Sequence, residues 1–184
     1  MAGSRYEIRL SGAGGQGMIL AGIILAEAAL QEEGLYVTQT QSYGPESRGG
    51  ASRSEVVLSD EEIDFPKVVK PDCLLALTQE AFDKYGSEIK DDGVIIVDER
   101  IDTSVVTEDI QEKIYSLPIM KTAIEDVGMR LTANIVVLGV IDKFVEDISG
   151  EYIKEAISER VPQKTVDNNM KAFELGQKLS EELV

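Results

Sequence analysis

Residues 6–41, YEIRLSGAGGQGMILAGIILAEAALQEEGLYVTQTQ, decide the fold class. YEIRLSG (6–12) alternates polar and apolar side chains, the period of a strand. GQGMILAGIILAEAALQEEG (15–34) is apolar and small-residue rich and closes on Gly34, which predicts a buried helix. LYVTQTQ (35–41) returns to alternation. Strand, helix, strand in this order opens an α/β sheet.

The same reading carries down the chain. SRSEVVLSD (52–60) alternates again, and its short separation from the preceding strand predicts an antiparallel neighbour rather than a helical crossover. DCLLALT (72–78), QEAFDKYGSEI (79–89) and GVIIVDE (93–99) read as strand, helix, strand, with the unbroken apolar runs of a doubly covered parallel sheet. KIYSLPI (113–119) supplies a last strand. TANIVVLGVIDKFV, GEYIKEAISERV and VDNNMKAFELGQKLSEEL carry helical spacing and almost no strand signal, so helices cap one side of the sheet, with Pro162 at a helix boundary. The expected fold is α/β: a Rossmann-like, mostly parallel, doubly wound sheet with a C-terminal helical segment, all of 1–184 forming one domain.

Composition excludes whole classes of chemistry. A net charge of −16, from 34 acidic and 18 basic residues, repels a phosphate backbone, so no nucleic-acid partner is expected. With no histidine, a Ser-His-Asp triad, a histidine base and histidine-ligated metal are impossible within the chain. The single thiol, Cys73, makes no intrachain disulfide, and an iron-sulfur cluster takes about four thiolates. Cys73 lies in the apolar run PDCLLALT and reads as a small buried hydrophobe, and no bound metal is expected. MAGSRYEIRL lacks the apolar core of a signal peptide, and MILAGIILA is well short of the roughly 18 apolar residues of a membrane span. The expectation is a cytoplasmic protein with no membrane partner.

Two loops carry chemistry. Gly12, Gly14 and Gly17 in GAGGQG match G-x-G-x-x-G between a strand and a helix, where glycines admit a phosphate to free N–H groups at the positive end of a helix dipole. A dinucleotide site also needs an acidic residue about 20 positions on, and the second strand ends in TQTQ instead. The alternative is a purely structural role: a tight turn and close helix packing, with Gly22 serving the same end. The second loop, SYGPESRGGAS (42–52), stiffens at Pro45, loosens at Gly49 and Gly50, and brings Arg48 and Arg53 onto an acidic body. It reads either as a surface hairpin loop with Glu46 paired to Arg48, or as an Arg-bearing site for a carboxylate or phosphate. Both loops are expected at the C-terminal ends of adjacent strands, where open α/β sheets bind ligands.

Taken together, SGAGGQGMILAGIILAEA, SYGPESRGGASRSEVVLSDEEI, PDCLLALTQEAFDKY and NIVVLG followed by helices resemble the gamma subunit of 2-oxoacid:ferredoxin oxidoreductases along nearly the whole chain. YGPESRGG is more similar to the 2-oxoglutarate branch than to the pyruvate branch. The resemblance implies a heteromeric enzyme that oxidatively decarboxylates a 2-oxoacid to its acyl-CoA and passes electrons to ferredoxin. Its partners would be alpha, beta and ferredoxin-like delta subunits, and the thiamine diphosphate, iron-sulfur clusters and CoA would be carried mainly by those chains, with no cofactor assigned to this one. Gly12, Gly14, Gly15 and Gly17 match the family's Gly-rich turn, a candidate anion or cofactor loop; Tyr43, Gly44, Pro45, Glu46, Arg48, Gly49 and Gly50 match its signature loop, a candidate interface or ligand-approach element. Asn134 and Gly139 match the start of the C-terminal helix, and none of these positions is expected to be catalytic. An isolated gamma subunit is expected to self-associate or to expose an apolar patch from its C-terminal helices. The competing readings are a freestanding nucleotide-binding protein, an NAD(P)-dependent dehydrogenase using GAGGQG, or a generic interaction protein.

Overall fold

The computed structural model describes residues 5–42, 51–181 and 183. Its strands are β1 (Arg5–Ala13), β2 (Tyr36–Ser42), β3 (Ala51–Ser59), β4 (Cys73–Ala76), β5 (Val94–Asp98) and β6 (Ile114–Leu117). Interleaved with them are α1 (Met18–Ala29), α2 (Gln79–Tyr85), α3 (Glu108–Gln111) and α4 (Ile119–Lys121). The chain closes with α5 (Ala133–Ile141), α6 (Gly150–Arg160) and α7 (Val166–Glu181). The six strands form one sheet in the order β2-β3-β1-β4-β5-β6.

Strands β1, β4, β5 and β6 run parallel, while β3 is antiparallel to both of its neighbours, β1 and β2. The expected mostly parallel α/β sheet is therefore present. One feature departs from the expected arrangement: β3 is inserted between β1 and β2, so the strands carrying the two loops are next-but-one neighbours rather than adjacent. A hairpin return costs little chain, and β3 is buried along almost its whole length, which rewards a central place over an edge.

One face of the sheet is mainly apolar, with buried Ser54, which accepts from Gln39 at 2.8 Å, a polar exception beneath Gly22 of α1. Ile8, Leu10, Val56, Leu58, Cys73, Leu75 and Ile96 meet α1, α5, α6 and α7 there, all nearly inaccessible to solvent. Helix α5 is buried at every position, and it crosses α7 so closely that a Cβ on Gly139 would lie 2.1 Å from the Phe173 carbonyl oxygen. The apolar residues of the C-terminal helices are thus consumed internally. Among the described residues the large exposed apolar side chains, Leu30, Tyr36, Phe65, Val69, Val105, Ile124 and Leu131, lie outside α5–α7, so of the two expected alternatives, self-association or an exposed patch on these helices, the patch is not seen there. Helix α1 ends at Ala29, five residues before Gly34, because the chain tightens through turn bonds from the Gln31 and Glu32 amides before Gly34 takes a positive φ.

The opposite face is divided. Under α2 it is apolar, with Leu74, Ala76, Phe82, Ile95 and Val97. Under the segment 60–71 it is ionic, centred on Arg9. Helix α2 begins where the Thr78 hydroxyl accepts the Ala81 amide, the cap its sequence calls for.

Candidate functional site

The Gly-rich turn joins β1 to α1 at the C-terminal edge of the sheet. Gly15 and Gly17 have φ of +87° and +76°, conformations that side chains with a Cβ rarely adopt. The turn is closed from within: the Ala13 amide donates to Gln16 Oε1 at 2.7 Å, and the Gln16 amide donates to the Ala13 carbonyl at 3.2 Å. Asn134, at the start of α5, sits over the N-cap of α1, with its Nδ2 donating to the Gly17 carbonyl at 3.5 Å. A Cβ on Gly17 would lie 2.7 Å from that nitrogen. Gly14 and Gly15 are both exposed, with no atom within 4 Å of where a Cβ would be, but Gly14 alone of the two has an ordinary φ.

Two further residues brace the turn. Asp98, fully buried at the end of β5, accepts the Met120 amide at 2.8 Å and pairs with Arg100. Met120 in turn places its sulfur 4.0 Å from Gln16 Nε2. Sequence reading missed Asp98, Met120 and the role of Gln16, since the contacts span up to 104 residues and no local pattern marks them. Gly139, matched with Asn134 by resemblance, does not join this cluster; it serves the α5–α7 crossing.

Tyr43, Gly44, Pro45, Glu46, Arg48, Gly49 and Gly50 lie outside the described residues. Their anchors are well defined. Ser42, the last residue of β2, pairs with Arg53, and Ala51, the first of β3, pairs with Ala13 beside the Gly-rich turn. The Ala51 amide also donates to Glu80 Oε1 at 3.3 Å. The anchors of that loop and the Gly-rich turn therefore lie at the same end of the sheet.

Next to the end of β2 lies the ionic cluster. Arg9, 2% exposed, donates from Nε to Glu55 Oε1 at 2.8 Å, from Nη1 to Glu88 Oε2 at 2.5 Å and from Nη2 to the Val68 carbonyl at 2.9 Å. The guanidinium groups of Arg9 and Arg53 both lie over the Tyr85 ring, at 5.1 and 5.6 Å from its centroid. A cavity of about 300 Å³ adjoins this cluster, lined by Thr40, Arg53, Glu55, Pro66 and Lys67 among others. Cys73, by contrast, is inaccessible, and burial pushes its thiol up to about 12. The sulfur is buried, as the apolar surroundings in the sequence suggested.

Among the described residues the arrangement of a classical dinucleotide site is not formed. In such a site the strand bearing the ribose-binding acid lies beside β1, whereas here β3 intervenes and β2 carries no acid. The family model for pyruvate ferredoxin/flavodoxin oxidoreductase matches residues 7–179. The chain belongs to this family. It is 48% identical over 179 residues to the 2-oxoglutarate synthase subunit KorC of Methanocaldococcus jannaschii, covering 97% of this chain and 96% of that protein. The keto/oxoacid ferredoxin oxidoreductase gamma subunit from Geobacter sulfurreducens superposes with a TM-score of 0.84 at 45% identity, covering 97% of this chain and 98% of that one. The 2-oxoglutarate:ferredoxin oxidoreductase from Magnetococcus marinus, solved with 2-oxoglutarate, coenzyme A and succinyl-CoA bound, also reaches a TM-score of 0.84, at 25% identity. That match covers 98% of this chain but 32% of the Magnetococcus chain, so in that enzyme the shared fold is about a third of one polypeptide. No described helix is long and apolar enough to cross a membrane.

Proposed function

We propose that this chain is the gamma subunit of a 2-oxoacid:ferredoxin oxidoreductase acting on 2-oxoglutarate. The observation that carries this reading is end-to-end identity of 48% with a 2-oxoglutarate synthase subunit of the same length class. The complex oxidatively decarboxylates the oxoacid, transfers the succinyl group to CoA and releases carbon dioxide, with two electrons passing to ferredoxin. Thiamine diphosphate and the iron-sulfur clusters belong to the alpha, beta and ferredoxin-like delta chains, in keeping with a subunit whose one thiol is buried and protonated. Assembly takes place in the cytoplasm.

In this reading the Gly-rich turn and the loop 43–50 face the partner chains, or the approach of an anionic CoA or oxoacid, with Arg48 available for a charge-assisted fork. The test is reconstitution with the thiamine- and cluster-bearing chains, following viologen or ferredoxin reduction with 2-oxoglutarate or pyruvate. The isolated chain is expected to be inactive, and the complex to prefer 2-oxoglutarate. Arg48→Ala is expected to leave the subunit folded and to weaken assembly or turnover by more than about tenfold. Micromolar binding of NAD(H), NADP(H) or FAD by the isolated chain, with no activation of partner chains, would overturn the reading.

A further inference from the structure

The two edges of the sheet are protected very differently. At one edge, β6 is four residues long, with Lys113 before it and Pro118 directly after it. Short length, lysine and proline are the usual means of keeping an edge from pairing with another chain. At the other edge, β2 runs seven residues in unbroken register with β3, from Tyr36↔Ser59 to Ser42↔Arg53, with no bulge. It contains neither proline nor any charged residue, in a chain where 28% of residues are charged. No other described strand pairs with it. The Thr40 carbonyl accepts from Gln39 Nε2 at 3.2 Å, and along 36–41 the main-chain groups that face away from β3 meet no other described strand on this neutral edge.

The cavity beside this edge supplies a second feature. Thr40 and Ser42 pair with Glu55 and Arg53, so their side chains share the face on which the cavity opens. Glu55 is occupied by Arg9 at 2.8 Å, with Arg53 at 3.8 Å, and it is nearly inaccessible. Arg53 is 34% exposed in its side chain, and exposed Lys67 has no ion pair among the described residues. Within the cluster Arg9 and Arg53 balance Glu55 and Glu88, which leaves Lys67 as an excess positive charge on a body of net charge −16.

We propose that β2 is extended in the assembled enzyme by a strand from a partner subunit, and that this strand places an acidic side chain in the cavity between Arg53 and Lys67. The mode is strand addition: main-chain hydrogen bonds along β2 supply affinity, and the pocket reads an alternate side chain. The side chains of an added strand about 4.8 Å away alternate between the two faces, so one in two enters the cavity side. A second copy of this chain does not fit, because its own edge, YVTQTQS, offers no carboxylate and each copy carries the same net negative charge. The inference rests on the subunit reading above and goes beyond it by naming the surface and the chemistry of its occupant.

Hydrogen exchange by mass spectrometry on the isolated chain and on the reconstituted complex tests it. The amides in 36–41 that face away from β3 are expected to slow by at least about tenfold on assembly. Lys67→Glu, at an exposed position, is expected to leave the circular dichroism unchanged and to weaken partner binding by about tenfold or more. An active complex in which those amides exchange as fast as in the isolated chain overturns this inference and leaves the subunit reading intact. So does full-strength assembly with Lys67→Glu. Protection of those amides that appears in the isolated chain as its concentration rises assigns the edge to self-association, and failure of any partner chain to bind overturns both readings.

Discussion

The two faces of the sheet bury their side chains by different means. On the face under α1, α5, α6 and α7, contact is mostly between apolar groups, and each of these contributes in proportion to the area it removes from water. On the face under residues 60–71, Arg5 and Arg9 of β1 reach three main-chain carbonyls of that segment, those of Phe65, Lys67 and Val68, and the charges of Arg9, Arg53, Glu55 and Glu88 interlock around Tyr85. An aliphatic face tolerates exchange of one hydrocarbon for another of similar volume. An ionic face does not, because each buried charge is stable only while its partner is in place. The apolar side therefore holds the fold together, and the ionic side fixes the geometry next to the end of β2 and the two loops.

The sharpest way to break this contrast is Arg9→Met, which keeps an unbranched apolar stem and removes the guanidinium with its charge. Glu55, 5% exposed, is left with Thr40 at 3.5 Å and Arg53 at 3.8 Å as its remaining partners. Loss of one member of a buried pair costs about 3–5 kcal/mol, and Arg53 holds the expected value near 3 kcal/mol. Denaturant unfolding of the single variant and of Arg9→Met with Glu55→Leu decides the point. The double variant is expected to regain most of the loss, since Glu88 is half exposed and stays solvated. A double variant as unstable as the single one would show that the face depends on shape rather than on charge pairing.

What the sequence revealed follows the same division. Strand and helix periodicity is local, so every strand and each long helix was legible, as was the antiparallel hairpin of β2 and β3. The turn at Gly15 and Gly17 was also legible, because the residue type answers directly to the backbone angle. The place of β3 between β1 and β2 was not, since strand order depends on which neighbour buries more surface. Arg9 gave only its alternation in YEIRLS: its partners Glu55 and Glu88 lie 46 and 79 residues away, and nothing in either segment announces the other. Asp98 was hidden in the same way, at the end of an apolar strand that reads as pure core.

A smaller effect is expected on the apolar face. Cys73→Ala removes one buried sulfur and is expected to cost about 1 kcal/mol at neutral pH. Its pH dependence carries more information. Folding raises the thiol from 9.0 to about 12, so the folded state retains a proton that the unfolded chain releases between those values. Below pH 9 the thiol makes no difference to pH dependence, and above it stability falls as pH rises, by up to about 1.4 kcal/mol per unit. Unfolding curves at pH 8 and pH 10 should show a steeper loss for the parent than for Cys73→Ala. Equal slopes would place the sulfur in contact with water, and the core around β4 would then not be dry.

The smallest expected effect on the fold comes from Gly14→Ala, which separates what the turn needs for itself from what it offers to others. Gly15 and Gly17 are held by backbone angle, and Gly17 also by Asn134, so their requirement lies inside the chain. Gly14 has space around it and an ordinary φ, so an added methyl meets nothing and shortens the list of unfolded conformations. Stability is expected to stay the same or to rise by about 0.4–1 kcal/mol. If the turn lies against a partner chain or ligand in the assembled enzyme, that same methyl stands in the contact, and 2-oxoglutarate-dependent ferredoxin reduction should fall while the isolated subunit is untouched. Reduced stability would mean that the tip is packed after all. Full turnover at every CoA and oxoacid concentration would assign all the glycines of this turn to the strand-to-helix connection, and the contact surface would then have to be sought in the loop 43–50.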